Sequence, residues 1–286
     1  MLAAGLALAA CSDGGSGGEV TNPSPLLYEI AGKDGQTEGW LFGTIHSLPE
    51  GTRWRTDELD ETIVNADGLI VEVAALDDSA AIFDTYREYA TTPGQPDIAT
   101  RVPREKIPQL LALIDRAGYS PRDFHSLETW AVALNLAQAY DTGESGEGAD
   151  RALLRDFKGR PVKELEGAAR QFAIFDSLPE SEQADLLVAV LDEAESHDQD
   201  PGKLRRNWLK GDLEELIAAT REGMMADPEL RQVLLVDRNR AWVSQIDTSL
   251  KQSPRPLIAV GAAHLVGPDG LAAHLEKRGY TVTRLQ

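Results

Sequence analysis

Residues 256–285 read PLIAVGAAHLVGPDGLAAHLEKRGYTVTRL, and this stretch decides the fold. PLIAV is a short continuous apolar run of the kind that forms a fully buried strand. The pattern after it predicts a helix from about Pro268 to Arg278, with Pro in the first turn and Gly279 just past the end, and YTVTRL returns as a strand. Such a strand-helix-strand unit is normally parallel and right-handed. The other end of the chain supplies its neighbours. LLYEI and GWLFGTI read as two strands joined through Gly32-Lys33-Asp34-Gly35, TDELDETIVNA has helical spacing, and GLIVEV is a third strand, apolar except for Glu72. From Asp77 to about Leu250 the pattern is mostly helical, punctuated by Pro and Gly and broken by one short strand, PVKELE. The expected class is therefore α/β: a central mixed sheet built from both chain ends, with a large helical middle packed over it. No internal stretch reads as an interdomain linker and no repeat has a solenoid period. Residues 26–286 are expected to form one domain, with about 77–250 as its helical cap.

The charge balance narrows the partners. With 47 acidic against 28 basic residues the net charge is −19, which repels a phosphate backbone and argues against nucleic acid. The densest acidic stretch, ESEQADLLVAVLDEAESHDQD, sets Leu186, Leu187, Val190 and Leu191 at helical spacing, so its charges are read as a solvated helix face. Residues 1–11 read as a leader: small and apolar residues end in Leu8-Ala9-Ala10-Cys11, which resembles the lipobox of bacterial lipoproteins, although no Lys or Arg precedes the run. Residues 12–25 read as a flexible linker. Cys11 is the one cysteine, which fits lipidation and leaves the body without disulfides or thiolate zinc sites. No later segment offers 18 uninterrupted apolar residues. The expectation is a body on the periplasmic side of the cell envelope, held to the membrane by an N-terminal lipid anchor; Ser12 leans toward the outer membrane by resemblance to sorting in enteric bacteria.

Chemistry enters through a repeated pattern. Gly43-Thr44-Ile45-His46 and Gly261-Ala262-Ala263-His264 each place a histidine just beyond a strand, and Glu72 lies near the end of another. In α/β sheets the crevice beyond the carboxyl ends of the strands is where ligands bind. Two imidazoles and a carboxylate suit a divalent ion such as Mn, Co, Zn or Fe with positions left open for water, which can then lose a proton near neutral pH and attack a carbonyl. Gly-x-x-His is a short pattern, and a loop-capping histidine or a solvent-facing Glu72 would account for either part separately. His125, His197 and His274 have no comparable setting. Arg238 lies in DPELRQVLLVDRNRAWVSQI, a long helix expected to start at Asp227 as N-cap with Pro228 in its first turn. Its donor fork suits a carboxylate of the site or a developing oxyanion, or else a surface ion pair. His-Glu-x-x-His is absent, and Gly143–Gly148 matches neither a phosphate-binding loop nor a nucleophile elbow.

Taken together, the two Gly-x-x-His motifs, Glu72 in LIVEV, the block PVKELEGAARQFAIFDSLPESEQADLL, Arg238-Asn239 followed by Trp242, and the ending GAAHLVGPDGLAAHLEKRGYTV resemble the TraB/GumN family, which includes the Tiki proteases. The resemblance runs from about Leu26 onward. It implies a fold related to the erythromycin-esterase and ChaN-like groups and a divalent-metal-dependent peptidase acting on a peptide or protein, with His46, Glu72 and His264 at the metal centre and Glu72 either completing the site or taking the proton from its bound water as a catalytic base. Arg238 falls on the family's Arg-Asn position, and Glu166 on its Leu-Glu-Thr position, where this chain has Leu165-Glu166-Gly167. Glu166 is then a residue that orients a ligand or Arg238. The alternatives carried with this reading are a haem- or metal-binding module and a non-catalytic envelope protein that sequesters a peptide or partner.

Overall fold

The computed structural model describes residues 20–138, 148–200, 202–252 and 255–286. Cys11, the leader, most of the linker and most of the Gly143–Gly148 loop lie outside these residues, as does the side chain of His197. Strands β1 (Leu27–Ala31) and β2 (Thr37–Thr44) form the expected antiparallel hairpin. Helix α1 (Asp57–Asn65) starts where Thr56 accepts a hydrogen bond from Leu59 N, and Asp57, Glu58 and Asp60 in its first turn complement the helix dipole. Its Leu59 and Ile63 are buried. Strand β3 (Gly68–Val71) is buried along its whole length, so Glu72 falls one residue beyond its end.

The middle of the chain holds α2 (Ser79–Ala90), α3 (Ile107–Arg116), α4 (Thr129–Ala137) and α5 (Ala149–Asp156), then the short strand β4 (Val162–Glu164). After it come α6 (Ala168–Asp176), α7 (Glu180–Gln199), α8 (Lys203–Lys210) and α9 (Leu213–Ala219). The long helix begins as read, with Asp227 accepting from Leu230 N, but it is not uniform. It runs as α10 (Pro228–Arg231), a π-helical turn (Gln232–Val236) and α11 (Asp237–Gln252). The chain closes with β5 (Pro256–Gly261), α12 (Leu271–Lys277) and β6 (Thr281–Arg284). Helix α12 starts three residues later than the pattern predicts. Pro268 and Asp269 belong to a turn closed by Gly270 N donating to Gly267 O, with Gly267 at a φ of 76°.

The six strands form one mixed sheet in the order β4-β3-β5-β2-β1-β6. β4, β3, β5 and β2 are mutually parallel; β1 is antiparallel to β2, and β6 to β1. β5 and β6 therefore run parallel, as expected, but with β2 and β1 between them. The continuous apolar runs of β3 and β5 occupy the centre, where both faces are covered.

Two apolar cores result. One lies on the sheet and takes in α1, α5, α8, α9, α11 and α12 through residues such as Leu153, Trp208, Trp242 and Leu275. The other is helical throughout and joins α3, α4, α7 and α10 through Leu110, Trp130, Leu187 and Leu230. Leu186, Leu187, Val190 and Leu191 of α7 are buried there, which leaves the acidic residues of that helix at its outer face. The helical stretch from 228 to 252 crosses from one core to the other: Leu230 and Leu234 belong to the second, Trp242, Val243 and Ile246 to the first.

Candidate functional site

Thr44 at the end of β2 is level with Gly261 at the end of β5, and Val71 of β3 pairs with Ala259. His46, Glu72 and His264 thus leave the same edge of three adjacent strands. Glycine permits the approach. A methyl group built on Gly43 would lie 3.0 Å from Ala262 Cβ, so the missing side chain lets the turn that carries His264 sit on β2. A methyl built on Gly261 would lie 3.4 Å from Glu72 Oε1 and 3.7 Å from both His46 Nε2 and His264 Cδ2. The three side chains therefore ring one small space, and the two imidazoles approach each other to within twice that distance.

Each imidazole is held by its Nδ1. His264 Nδ1 lies 2.7 Å from Asn239 Oδ1, and Asn239 donates through Nδ2 to His264 O at 3.2 Å and Asp269 O at 2.8 Å, so its amide orientation is fixed. His46 Nδ1 lies 2.8 Å from Asp150 Oδ2, while Thr44 Oγ1 donates to Asp150 Oδ1 at 2.6 Å. In both rings Nδ1 carries a hydrogen, because its partner is an acceptor, and Nε2 is the nitrogen left to face the site. The settings differ otherwise. His264 is buried and stacks at a tilt 4.4 Å from Trp242, whereas the His46 side chain is 70% exposed.

Glu72 is buried, which excludes the solvent-facing alternative. Its Oε1 accepts from Gly261 N at 2.8 Å, and its Oε2 from Arg238 Nη2 at 2.7 Å and Gln171 Nε2 at 3.1 Å. Arg238 is largely enclosed, its side chain 15% exposed, rather than on the surface. Its Nε and Nη2 donate to Glu166 at 3.0–3.2 Å, its Nη1 donates to Leu234 O and lies 3.3 Å from His264 Nε2, and its guanidinium carbon sits 4.6 Å from the centre of the Trp242 ring. Glu166 in turn is brought to Glu72 by the backbone: Glu166 N and Gly167 N both donate to Glu72 O. Gly167 has a φ of 77°, a conformation that glycine adopts without strain.

These contacts set the protonation states. Burial opposes ionisation of Glu72, but His264, Arg238, His46 and the Gly261 N–H outweigh it and hold the carboxyl down at about 2. Burial keeps His264 neutral against the pull of Glu72, with its value lowered to about 3. Asp150 lifts His46 to about 9, and the exposure of that ring means that water screens part of the effect.

The donor set fits a divalent ion in kind: two imidazole Nε2 atoms, that of His46 once an ion displaces its second proton, and a carboxylate whose Oε1 takes one hydrogen bond. The charge of Glu72 is meanwhile met by Arg238. Among the described residues the one trio of possible ligand atoms lying within 4.8 Å of one another is elsewhere, at Glu182, Asp227 and Glu229, where Asp227 serves as the helix cap. His125 is a surface residue whose Nδ1 lies against Arg122 O, and His274 lies on α12, so neither joins the site. Asp150 also joins it and has no sequence signal pointing to it. Thr44, Gln171, Asn239 and Trp242 stand inside quoted motifs without an assigned part.

A sheet with ligand-type side chains at the carboxyl ends of its central strands places the protein among α/β proteins with a crevice site. The chain belongs to the TraB/PrgY/gumN family, whose sequence model matches residues 26–284. It is similar to the uncharacterized protein YbaP of Shigella flexneri, 29% identical over 249 residues that cover 83% of this chain and 87% of that one. It is also similar to YbaP of Escherichia coli strain K12, 30% identical over 243 residues, with 81% and 85% covered. No solved structure matches it.

Proposed function

We propose that this cluster is the centre of a divalent-metal-dependent hydrolase, a peptidase of the cell envelope. The observation that carries the reading is the paired anchoring of two imidazoles by Nδ1, with Glu72 Oε1 at the same small space. His46 Nε2, His264 Nε2 and Glu72 would hold the ion, which when bound supplies Lewis acidity toward water and a peptide carbonyl. The protein's own groups do the rest. Glu72, ionised and covered by three donors, is a weak base, so its environment favours a ligand role over proton removal. Arg238 spends its fork on Glu166 and Glu72, which favours positioning Glu72 over meeting an oxyanion. His264 stays neutral in its pocket, and Asn239 keeps its Nε2 directed at the site. His46, at the open rim, is the member of the set that a substrate would meet first.

The test is metal analysis after loading with Mn, Co or Zn, paired with digestion of a peptide library. One ion per chain, lost in both His46→Ala and His264→Ala, together with cleavage that those variants lack, supports the reading. Equal ion binding by parent and variants refutes it.

A second reading has its own observation, the Asp150–His46 pair opening onto solvent. Above the raised value of His46, where the ring is neutral, such a pair can take a proton from water directly, without an ion. Cleavage that survives exhaustive chelation and disappears in His46→Ala would select it. The Leu8–Cys11 pattern supports lipid attachment, and no described helix is long and apolar enough to cross a membrane. Palmitate labelling that survives in Cys11→Ser would remove the anchor from the proposal.

A further inference from the structure

We infer that Asp150 is a positioning residue of the site, and that it fixes the direction in which His46 presents Nε2. The inference rests on the metal-centre reading above. Asp150 is remote in sequence and has no motif around it, yet both of its carboxylate oxygens are committed to β2 and the turn that follows it. Oδ1 takes the Thr44 hydroxyl at 2.6 Å and Oδ2 faces His46 Nδ1 at 2.8 Å. The carboxylate itself is buried, 6% exposed, while the ring that it holds is 70% exposed.

That contrast gives Asp150 its importance. An exposed imidazole has little packing to choose between its rotamers, so a fixed hydrogen bond at one nitrogen decides where the other points. Helix α5 is docked for the purpose. Ala149 N donates to Ile45 O at 3.0 Å, and a side chain at Gly148 would meet His46 O at 2.1 Å, so only glycine lets the first turn of α5 close on the His46 strand end. Thr44 then braces the carboxylate, and His46 is the exposed member of the set. His264 supplies the internal comparison: it is packed against Trp242, and a neutral amide, Asn239, suffices to hold it. The exposed ring has the charged partner, whose bond is stronger and which raises the donor strength of Nε2.

The test uses the full body with Co or Zn alone as probe. Titration calorimetry should show affinity falling about 10- to 100-fold in Asp150→Ala, with a smaller loss in Asp150→Asn, which keeps an acceptor of the same size, and in Thr44→Val, which removes only the brace. A second readout needs no ion. In nitrogen-15 spectra of metal-free protein the His46 ring should give one set of signals in the parent and averaged signals in Asp150→Ala. Affinity within twofold of the parent in both Asp150 variants, with His46 signals unchanged, overturns the inference. If the parent binds no ion, the metal-centre reading fails; averaging of the His46 signals in Asp150→Ala would still support the positioning role.

Discussion

The sheet half and the helical half each enclose an arginine, and they use it differently. In the helical core Arg101 gives its donors to backbone carbonyls, twice to Pro96 and once each to Phe124 and Leu127, and burial lowers its affinity for its proton. At the sheet edge Arg238 gives its donors to Glu72 and Glu166 and leans on Trp242. The first pins a loop in place of missing backbone partners, as any fold requires. The second belongs to a charged network in which every added group costs desolvation. Gln183, buried in the helical half, likewise pairs with nearby backbone at Trp130 N and Leu178 O, whereas Thr44, Glu72, Asp150, Asn239 and His264 gather at one spot. The difference teaches where to look for function: at the point where helix 228–252 leaves one core and enters the other.

The largest effect that would break this comparison is expected at Arg238. Arg238→Ala leaves Glu72 and Glu166 as buried uncompensated charges and should cost about 3–5 kcal/mol in urea unfolding, along with altered ion binding. A loss under 1 kcal/mol would mean that the carboxylates find water. Next comes the helical core. Leu187, fully buried, should cost about 2–5 kcal/mol when cut to Ala, yet ion affinity should stay within twofold of the parent. A large change in affinity would show that the two halves are coupled.

A smaller effect separates the groups by pH in metal-free protein. His264 has a folded value of about 3 against an ordinary 6.5, so the unfolded chain takes the proton more readily between them. Stability should therefore fall as pH drops from about 6.5 toward 3, and Glu72, at about 2 against 4.5, extends the loss to lower pH. His46 has the opposite sign: its contribution is present below 6.5 and fades as pH rises toward about 9. Urea midpoints across pH should show the acid branch flattened in His264→Gln. An unchanged branch would place the acid sensitivity elsewhere.

Much of the sheet half is legible in the sequence because its signals are local. The hairpin, α1, β3, β5 and the two Gly-x-x-His motifs can each be read from one short stretch of chain, and the strand order then brings His46, Glu72 and His264 together. The parts that escape are set by tertiary contact. Asp150 reaches His46 across 104 residues and Gln171 reaches Glu72 across 99, with no periodicity to mark either. The late start of α12 has the same origin, since Asp269 O is taken by the Asn239 that orients His264. The π-helical turn before Arg238 leaves no sequence mark, because the apolar run from Val233 to Val236 suits an α-helix equally well.

X-ray absorption at the zinc edge of the loaded body tests the central claim most directly. Two imidazoles in the first shell, at about 2.0–2.1 Å, falling to one in His46→Ala and likewise in His264→Ala, is the predicted result. A first shell without imidazole scattering, or one that both substitutions leave unchanged, would contradict it.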